Sequence, residues 1–204
     1  MRNGVIGIRE DVDFANLGFY LYNISVGGVF PDSQITMIDG TVHNIDANVS
    51  SLSQRVVVYN RNVELSQEDV VMLKRGDTLL YRIEGEYHQV LKTAGEISLC
   101  VVKFLSHEDP ILKYLEEKGS PRASPDWLND VINSIKKEEI DIKYEYREQL
   151  YLVSNGKRHL PTDKNFSRSF DSRKDDVKNY LKENKKALSK NADIVKFFEY
   201  LSGE

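Results

Sequence analysis

The sequence has little cysteine and no long apolar stretch, and both shortages restrict the kind of protein it can be. Its single cysteine, Cys100, excludes an internal disulfide, and its place in the apolar run of residues 97–102 indicates a buried, unreactive thiol. No apolar run approaches the roughly 18 to 20 residues that cross a bilayer as a helix. The first ten residues also lack the apolar segment of a signal peptide. We therefore expect a cytoplasmic protein, unless the chain is a mature form whose leader was removed.

Sequence motifs for nucleotide or nucleophilic chemistry are also missing. There is no Gly-x-Gly-x-x-Gly, no phosphate-binding loop and no serine in a Gly-x-Ser-x-Gly setting. The chain has four histidines, at His43, His88, His107 and His159. They are dispersed and have no cysteine partner, so they do not predict a zinc site. Glu10-Asp11-Val12-Asp13 lacks the glycine and distal acid of a calcium loop. We expect no catalytic residue, no metal and no cofactor.

The overall composition is that of an ordinary soluble globular protein. The chain has 204 residues, of which 40% are hydrophobic and 29% are charged, enough for one large domain or two small ones. Its formal net charge of −4 argues against a general nucleic-acid binder, although a local basic face would be compatible with it.

The first half of the sequence predicts strands. Short β-type runs between residues 17 and 104 are separated by turn signals about every 8 to 12 residues, without a helical period. Asp39-Gly40 is a hairpin-type turn, and Glu84-Gly85-Glu86 is a loop of hairpin length. Residues 1–105 are therefore predicted to form an antiparallel β-sandwich-like or partly open barrel domain.

The second half predicts a small helical region, which makes the fold class α+β. Residues 106–140 are expected to contain a linker and an amphipathic helix that begins at Ser124-Pro125-Asp126. Residues 141–204 are expected to form a β-hairpin, with its turn at Ser154-Asn155-Gly156-Lys157, followed by a cluster of short helices.

The last helix has the clearest pattern in the chain. Ile194, Phe197, Phe198 and Leu201 fall at i, i+3, i+4 and i+7, which places them on one helical face. Asn191 can cap the start of this helix, and Gly203 can end it in a left-handed conformation. The apolar face must be buried, either against the sheet of the same chain or against a partner.

Several C-terminal segments carry a family resemblance, namely Leu150-Tyr151-Leu152-Val153, Lys164, Phe166, Phe170, Lys174, Tyr180-Leu181-Lys182-Glu183-Asn184-Lys185 and residues 193–201. They resemble the C-terminal part of a group of uncharacterised Bacteroidota proteins, mostly secreted or envelope proteins, with a β-rich domain and a lysine-rich helical tail. The chain departs from that group at Asp171, where the group has proline, and at Ser172, where it has aspartate. The resemblance implies a periplasmic or outer-membrane-associated location and transfers no catalytic residue.

Two sets of side chains are candidate interaction surfaces. Residues 157–190 contain eleven Lys or Arg and five Asp or Glu, a local balance of +6. The lysines that we single out are Lys174, Lys178, Lys182, Lys185 and Lys186. They could meet phosphates or an anionic surface, but they could equally be the solvated faces of short helices.

The second set is aromatic. Tyr81 and Tyr87 lie on predicted strands, and an exposed tyrosine row gives a large contact area at a low entropy cost. Half-buried strand positions are the alternative interpretation of these tyrosines. We expect the neighbouring His88 to be half-exposed.

Taken together, the sequence predicts a non-catalytic interaction or accessory component of a bacterial envelope assembly. Its partner would be a protein, such as an outer-membrane complex, and peripheral membrane association stays open. The alternative is nucleic-acid or anionic-surface binding through the basic C-terminal helices, although the acidic net charge disfavours nucleic acid. A hydrolase built on the β-domain is the second alternative.

Overall fold

The computed structural model describes residues 2–7, 31–58, 63–66, 68–118, 130–131, 133–135 and 141–203, and it has an α+β fold. Its strands are β1 (Arg2–Gly7), β2 (Gln34–Met37), β3 (Val42–Asn44), β4 (Ala47–Val49), β5 (Val56–Val58), β6 (Val63–Glu64), β7 (Val70–Arg75), β8 (Thr78–Ile83), β9 (Glu86–Ala94), β10 (Ile97–His107), β11 (Asp141–Ser154) and β12 (Lys157–His159). Its longer helices are α1 (Pro110–Lys118), α2 (Asp163–Ser169), α3 (Lys174–Glu183) and α4 (Asn191–Ser202).

The chain divides into two compact units, each built from separate stretches. Unit 1 comprises residues 1–28, 50–53 and 104–147, and unit 2 comprises residues 29–49, 54–103 and 148–204. In unit 2 the order of neighbouring strands is β11-β10-β9-β8-β7-β2-β3, and β12 pairs with β11. Strands β4, β5 and β6 form a separate small sheet.

The two sheets of unit 2 share a core, which confirms the sandwich-like expectation. Ile35, Leu73 and Leu80 of the large sheet are buried with Ala47 and Val56 of the small one. Within the described residues the large sheet is open and ends at β3, so it does not close into a barrel.

The C-terminal helices cover another part of the large sheet. Leu99, Leu150 and Leu152 from β10 and β11 are buried in one cluster with Phe166 of α2 and Phe197 of α4. The rings of Phe166 and Phe197 lie 4.6 Å apart. The cluster also contains the rest of the predicted face of the last helix, so this face packs against the sheet of its own chain.

Local turn chemistry follows the sequence closely. Asn155 and Gly156 have φ values of 51° and 70°, as a two-residue hairpin turn of the I′ type requires. Gly40 has a φ of 84°, and its amide donates to the Met37 carbonyl at 3.0 Å. The hairpin turns predicted at Asp39-Gly40 and Asn155-Gly156 are therefore confirmed.

Unit 1 has a smaller core, made of Leu105, Val131 and Ile135. Its helix α1 begins after Asp109, whose Oδ1 accepts the amide hydrogen of Ile111 at 2.8 Å. The described residues of 130–135 are helical, but the predicted helix start at Ser124-Pro125-Asp126 lies outside the described residues. In the described part of the chain, no helix is long and apolar enough to cross a membrane.

Candidate functional site

The five lysines proposed from the sequence are all exposed, but part of their charge is neutralised locally. Lys174 forms an ion pair with Asp171, and the Nζ of Lys178 lies 3.8 Å from the Oδ1 of Asp175. These are exposed pairs three residues apart, which contribute little to stability but reduce the local positive potential. The charges at the start of α3 are therefore largely balanced, and the basic excess of residues 157–190 lies elsewhere in this region.

The aromatic residues among these lysines point into the core. Phe166 and Phe170 have exposed fractions of 0% and 7%, and Tyr180 stacks on Phe197 with a centroid distance of 4.7 Å. Single-stranded nucleic acid is usually bound by exposed aromatic rings beside basic groups. Phe166 and Phe170 are unavailable for this role, so the structure gives the nucleic-acid alternative no further support.

The two candidate tyrosines differ in their surroundings. Tyr81 is 41% exposed, as a surface role requires. Tyr87 is only 2% exposed, and its hydroxyl donates to the Val70 carbonyl at 2.8 Å. Burial raises the pKa of Tyr87 to about 12. The prediction that Tyr87 belongs to an interaction surface is wrong, because β9 turns this side chain into the core between the two sheets.

His88 is also more buried than we predicted. Its exposed fraction is 0%, and its Nδ1 lies 3.0 Å from the Glu86 carbonyl, while its Nε2 has no hydrogen-bond partner among the described residues. Its ring meets the edge of Tyr151 at 5.3 Å, and the Arg158 guanidinium lies over Tyr151. Burial lowers the pKa of His88. The expectation of a half-exposed histidine is therefore wrong.

The tip of the β2–β3 hairpin, which we call the apolar tip, is a feature that the sequence analysis did not single out. It carries Ile38, which is 66% exposed, and Val42, which is 52% exposed. The Asp39 carboxylate accepts hydrogen bonds from the Thr41 amide at 2.9 Å and from the Thr41 hydroxyl at 2.7 Å. These bonds lower the pKa of Asp39. The turn that presents the two apolar side chains is thus fixed by its own hydrogen bonds.

Further contacts attach this tip to the rest of unit 2. The Met37 amide donates to the Thr41 carbonyl at 2.8 Å, and the Ile38 amide donates to the Asp69 carbonyl at 2.7 Å. On the following strand, Val42, His43 and Asn44 are all exposed. Because β3 is the last strand in the order of the sheet, its outer edge has no neighbouring strand within the described residues.

The charged side chains of the hairpin's own residues have one sign, although the neighbouring strand β7 places the exposed Lys74 opposite Gln34. Residues 31–49 contain Asp32, Asp39 and Asp46 and no lysine or arginine. Asp32 and Asp39 are exposed, and Asp46 is half-buried and accepts the Asp32 amide hydrogen at 3.2 Å. An approaching partner therefore meets two exposed apolar side chains within an acidic segment.

A second feature is a groove of about 590 Å³ in unit 2. Its walls are the β9–β10 turn, the β11–β12 turn and helix α2, which supply Glu96, Lys157 and Arg168 among others. Two turns and one helix build this groove, and the β9–β10 turn is distant in sequence from the other two elements, so no local pattern could have identified it.

The described residues contain no group of three or more His, Cys, Asp or Glu that could hold a metal ion. Cys100 is buried, and this burial raises the pKa of its thiol to about 12. The acidic segment Glu10-Asp11-Val12-Asp13 lies outside the described residues. The metal and thiol chemistry of the described part therefore adds no candidate.

Comparison of the chain with protein-family models, with curated proteins and with solved structures found no match. The resemblance to Bacteroidota envelope proteins thus stays a prediction. Two features of unit 2 are candidate binding sites, namely the acidic hairpin with its apolar tip and the groove.

Proposed function

We propose that this chain is a non-catalytic interaction component that binds a partner protein through the β2–β3 hairpin. The observation that carries this proposal is the exposure of Ile38 and Val42 on a turn held by hydrogen bonds. Apolar surface removed from water stabilises a complex by roughly 25 cal/mol per Å². Since Thr41 and Asp39 already order the turn, binding would cost little additional conformational entropy there.

The edge of the sheet offers a way to bind. Among the described residues, strand β3 pairs with β2 on one side only, from Thr36↔Val42 to Gln34↔Asn44. An extended segment of another protein can add itself to such an edge through backbone hydrogen bonds, while side chains beside the edge provide specificity. Val42 lies on this edge strand, and Ile38 is exposed on the turn that precedes it, so both offer apolar contacts near the edge.

The negative charge of the hairpin indicates what charge the partner segment should carry. Three aspartates and no basic residue occur in residues 31–49, so a segment with apolar side chains flanked by Lys or Arg is complementary. A second copy of the chain would bring three more aspartates to the same edge. We therefore favour a different protein with a basic and apolar segment.

The assembly in which this partner occurs is part of the proposal. The resemblance of the C-terminal residues to Bacteroidota envelope proteins supports an accessory role in a bacterial envelope assembly. Fractionation of native cells tests this: the chain should be found with the envelope, whereas recovery from the cytoplasm alone would refute this part of the proposal.

The binding itself can be tested with a display library of extended peptides and the purified chain. Selected peptides should combine apolar residues with Lys or Arg, and their titration should shift the backbone amide signals of Val42, His43 and Asn44. Ile38→Ser should weaken binding about tenfold, because it removes the apolar contact without changing the charge of the hairpin.

The matched control is Leu160→Ser, since Leu160 is 51% exposed and lies outside the hairpin. This variant should leave the affinity unchanged. Peptides whose signals map to other elements, or equal losses in both variants, would contradict the proposal. Dimerisation that Ile38→Ser abolishes would also contradict it, because the occupant of the edge would then be a second copy.

A further inference from the structure

The groove in unit 2 has an unusual set of lining side chains. They include the amides of Asn155 and Asn165 and the hydroxyls of Ser154 and Ser169. Ile97 is apolar, and no Phe, Tyr or Trp is among the described residues that line the groove. Such a lining suits a ligand that is rich in hydroxyl groups better than a flat, apolar or stacked one.

Two permanent cations face the same space, Lys157 from β12 and Arg168 from α2. Neither forms an ion pair within the described part of the chain. The adjacent Arg158, by contrast, has its Nε 2.8 Å from a Glu84 oxygen and also pairs with Glu86. The structure thus neutralises the arginine outside the groove and leaves the two cations in the groove available for a ligand.

The elements that hold these groups are well fixed. Thr162 caps α2 by accepting the Asn165 amide hydrogen at 3.3 Å, and the Asn165 side chain donates to the Leu160 carbonyl at 2.9 Å. The latter bond leaves the amide oxygen of Asn165 as an acceptor. Phe166 anchors the same helix in the core with an exposed fraction of 0%. The side chains on α2 are therefore presented from a rigid support.

The balance of charge in the groove is positive. Lys157 and Arg168 face one carboxylate, that of Glu96, and His159 adds an imidazole. Arginine binds carboxylate and phosphate groups through two parallel hydrogen bonds, and lysine adds a compact charge. A carboxylate such as Glu96 accepts hydrogen bonds from hydroxyl groups but repels a second anion. The ligand should therefore carry one anionic group and several hydroxyls.

We propose that this groove binds a small hydroxylated anion of the sugar-acid or sugar-phosphate class. The anionic group lies between Lys157 and Arg168, and the ring hydroxyls meet the asparagine amides and Glu96. A volume of about 590 Å³ is within the range of small-molecule sites. This site is separate in residues from the β2–β3 hairpin and does not depend on the partner proposed there.

The test is a calorimetric and NMR titration of the full chain with four probes. Glucuronate and glucose 6-phosphate represent the two ligand sources, glucose lacks the anionic group, and inorganic phosphate lacks the hydroxyls. At least one of the two charged sugars should bind saturably, at least tenfold more tightly than glucose and inorganic phosphate. The tighter of the two identifies the source of the anionic group.

Variants then locate the site. Arg168→Gln and Lys157→Gln should each weaken binding by about tenfold or more, because each removes a charge-assisted hydrogen bond. Lys164→Gln is the matched control: it removes one charge from the same helix at an exposed position outside the groove, and it should leave the affinity unchanged. Unchanged amide spectra of the free variants verify that they are folded.

Three results would overturn the inference. The first is an absence of saturable binding by both charged sugars. The second is an affinity for inorganic phosphate equal to that for the tighter charged sugar, which would leave the hydroxyls without a role. The third is an equal loss of affinity in Lys164→Gln and Arg168→Gln, which would indicate general attraction to a positive surface.

Discussion

The replacement of Phe197 by alanine tests most directly how the C-terminal helices are held. Phe197 lies in α4 with an exposed fraction of 0%. Its ring centroid is 4.6 Å from that of Phe166 and 4.7 Å from that of Tyr180, so it joins α2, α3 and α4. The substitution Phe197→Ala would remove both ring contacts and leave a cavity at the point where the three helices meet.

The expected cost follows from burial. A fully buried phenylalanine replaced by alanine typically destabilises a protein by about 3–5 kcal/mol. Each aromatic pair adds about 0.5–1.5 kcal/mol beyond the buried area, and Phe197 forms two of them. We therefore expect a loss near the upper end, about 4–5 kcal/mol. This is a large share of the roughly 5–15 kcal/mol that ordinarily stabilises a folded domain.

Urea unfolding, followed by far-UV circular dichroism and by amide signals of β10 and β11, measures this loss. Phe197→Leu keeps most of the volume and should cost only about 1.5 kcal/mol. Lys196→Ala is the surface control and should cost little, because Lys196 is exposed on the same helix. A loss below about 1 kcal/mol for Phe197→Ala, with an unchanged urea dependence, would refute the assignment of this helix face to the core.

Three further predictions concern single side chains. Tyr87→Phe should cost about 1–2 kcal/mol because it removes the buried hydrogen bond from the Tyr87 hydroxyl to the Val70 carbonyl. The same variant should also show a smaller fall in unfolding free energy between pH 10 and about 12, where only the unfolded tyrosine loses its proton. The native chain should lose stability below about pH 6.5, because the histidine takes up a proton more readily in the unfolded state than at the buried site of His88. His88→Leu should abolish this loss, which unfolding experiments at about pH 7.5 and about pH 5 would measure. Thr162→Ala should lower the melting temperature through a cap loss of about 1 kcal/mol, which Thr162→Ser should largely avoid.

The parts of the fold that the sequence predicts are those with a local cause. The face of α4 follows from the helical spacing of Ile194, Phe197, Phe198 and Leu201, and the structure buries all four. The turn at Asn155-Gly156 follows from the residue types that accept a positive φ. Each of these features depends on a few neighbouring residues, so it can be read without knowledge of what lies across the fold.

The positions of Tyr87 and His88 could not be predicted in the same way. Both are polar-tipped rings on one strand, and the sequence around them lacks the alternation that would assign one to the core and the other to the surface. In the structure both are buried, Tyr87 between the sheets and His88 against Tyr151. The pairing of β9 with β10 also shifts register at Leu99/Cys100, which no local signal indicates.

The difference between local and long-range contacts also explains why the sequence did not identify the binding cations among residues 157–190. A count along residues 157–190 treats all eleven cations alike, whereas the structure separates them by their neighbours. Lys174 and Lys178 pair with aspartates one helical turn away, and Arg158 pairs with glutamates more than seventy residues distant. Lys157 and Arg168 face the groove. Which of these cations can bind an anionic ligand therefore depends on whether an acidic side chain lies beside them in the folded chain, and this is set by the tertiary structure.

The two proposed sites of unit 2 have opposite charge, which makes them separable by experiment. The hairpin of residues 31–49 has three aspartates and no cation, and the groove has Lys157 and Arg168 against Glu96. Added salt should weaken binding at both sites, because both depend partly on charge. At constant ionic strength, however, inorganic phosphate should compete only in the groove, since its charge has the same sign as the hairpin. If phosphate displaced a basic peptide from the chain under this condition, the peptide would not be bound where we propose.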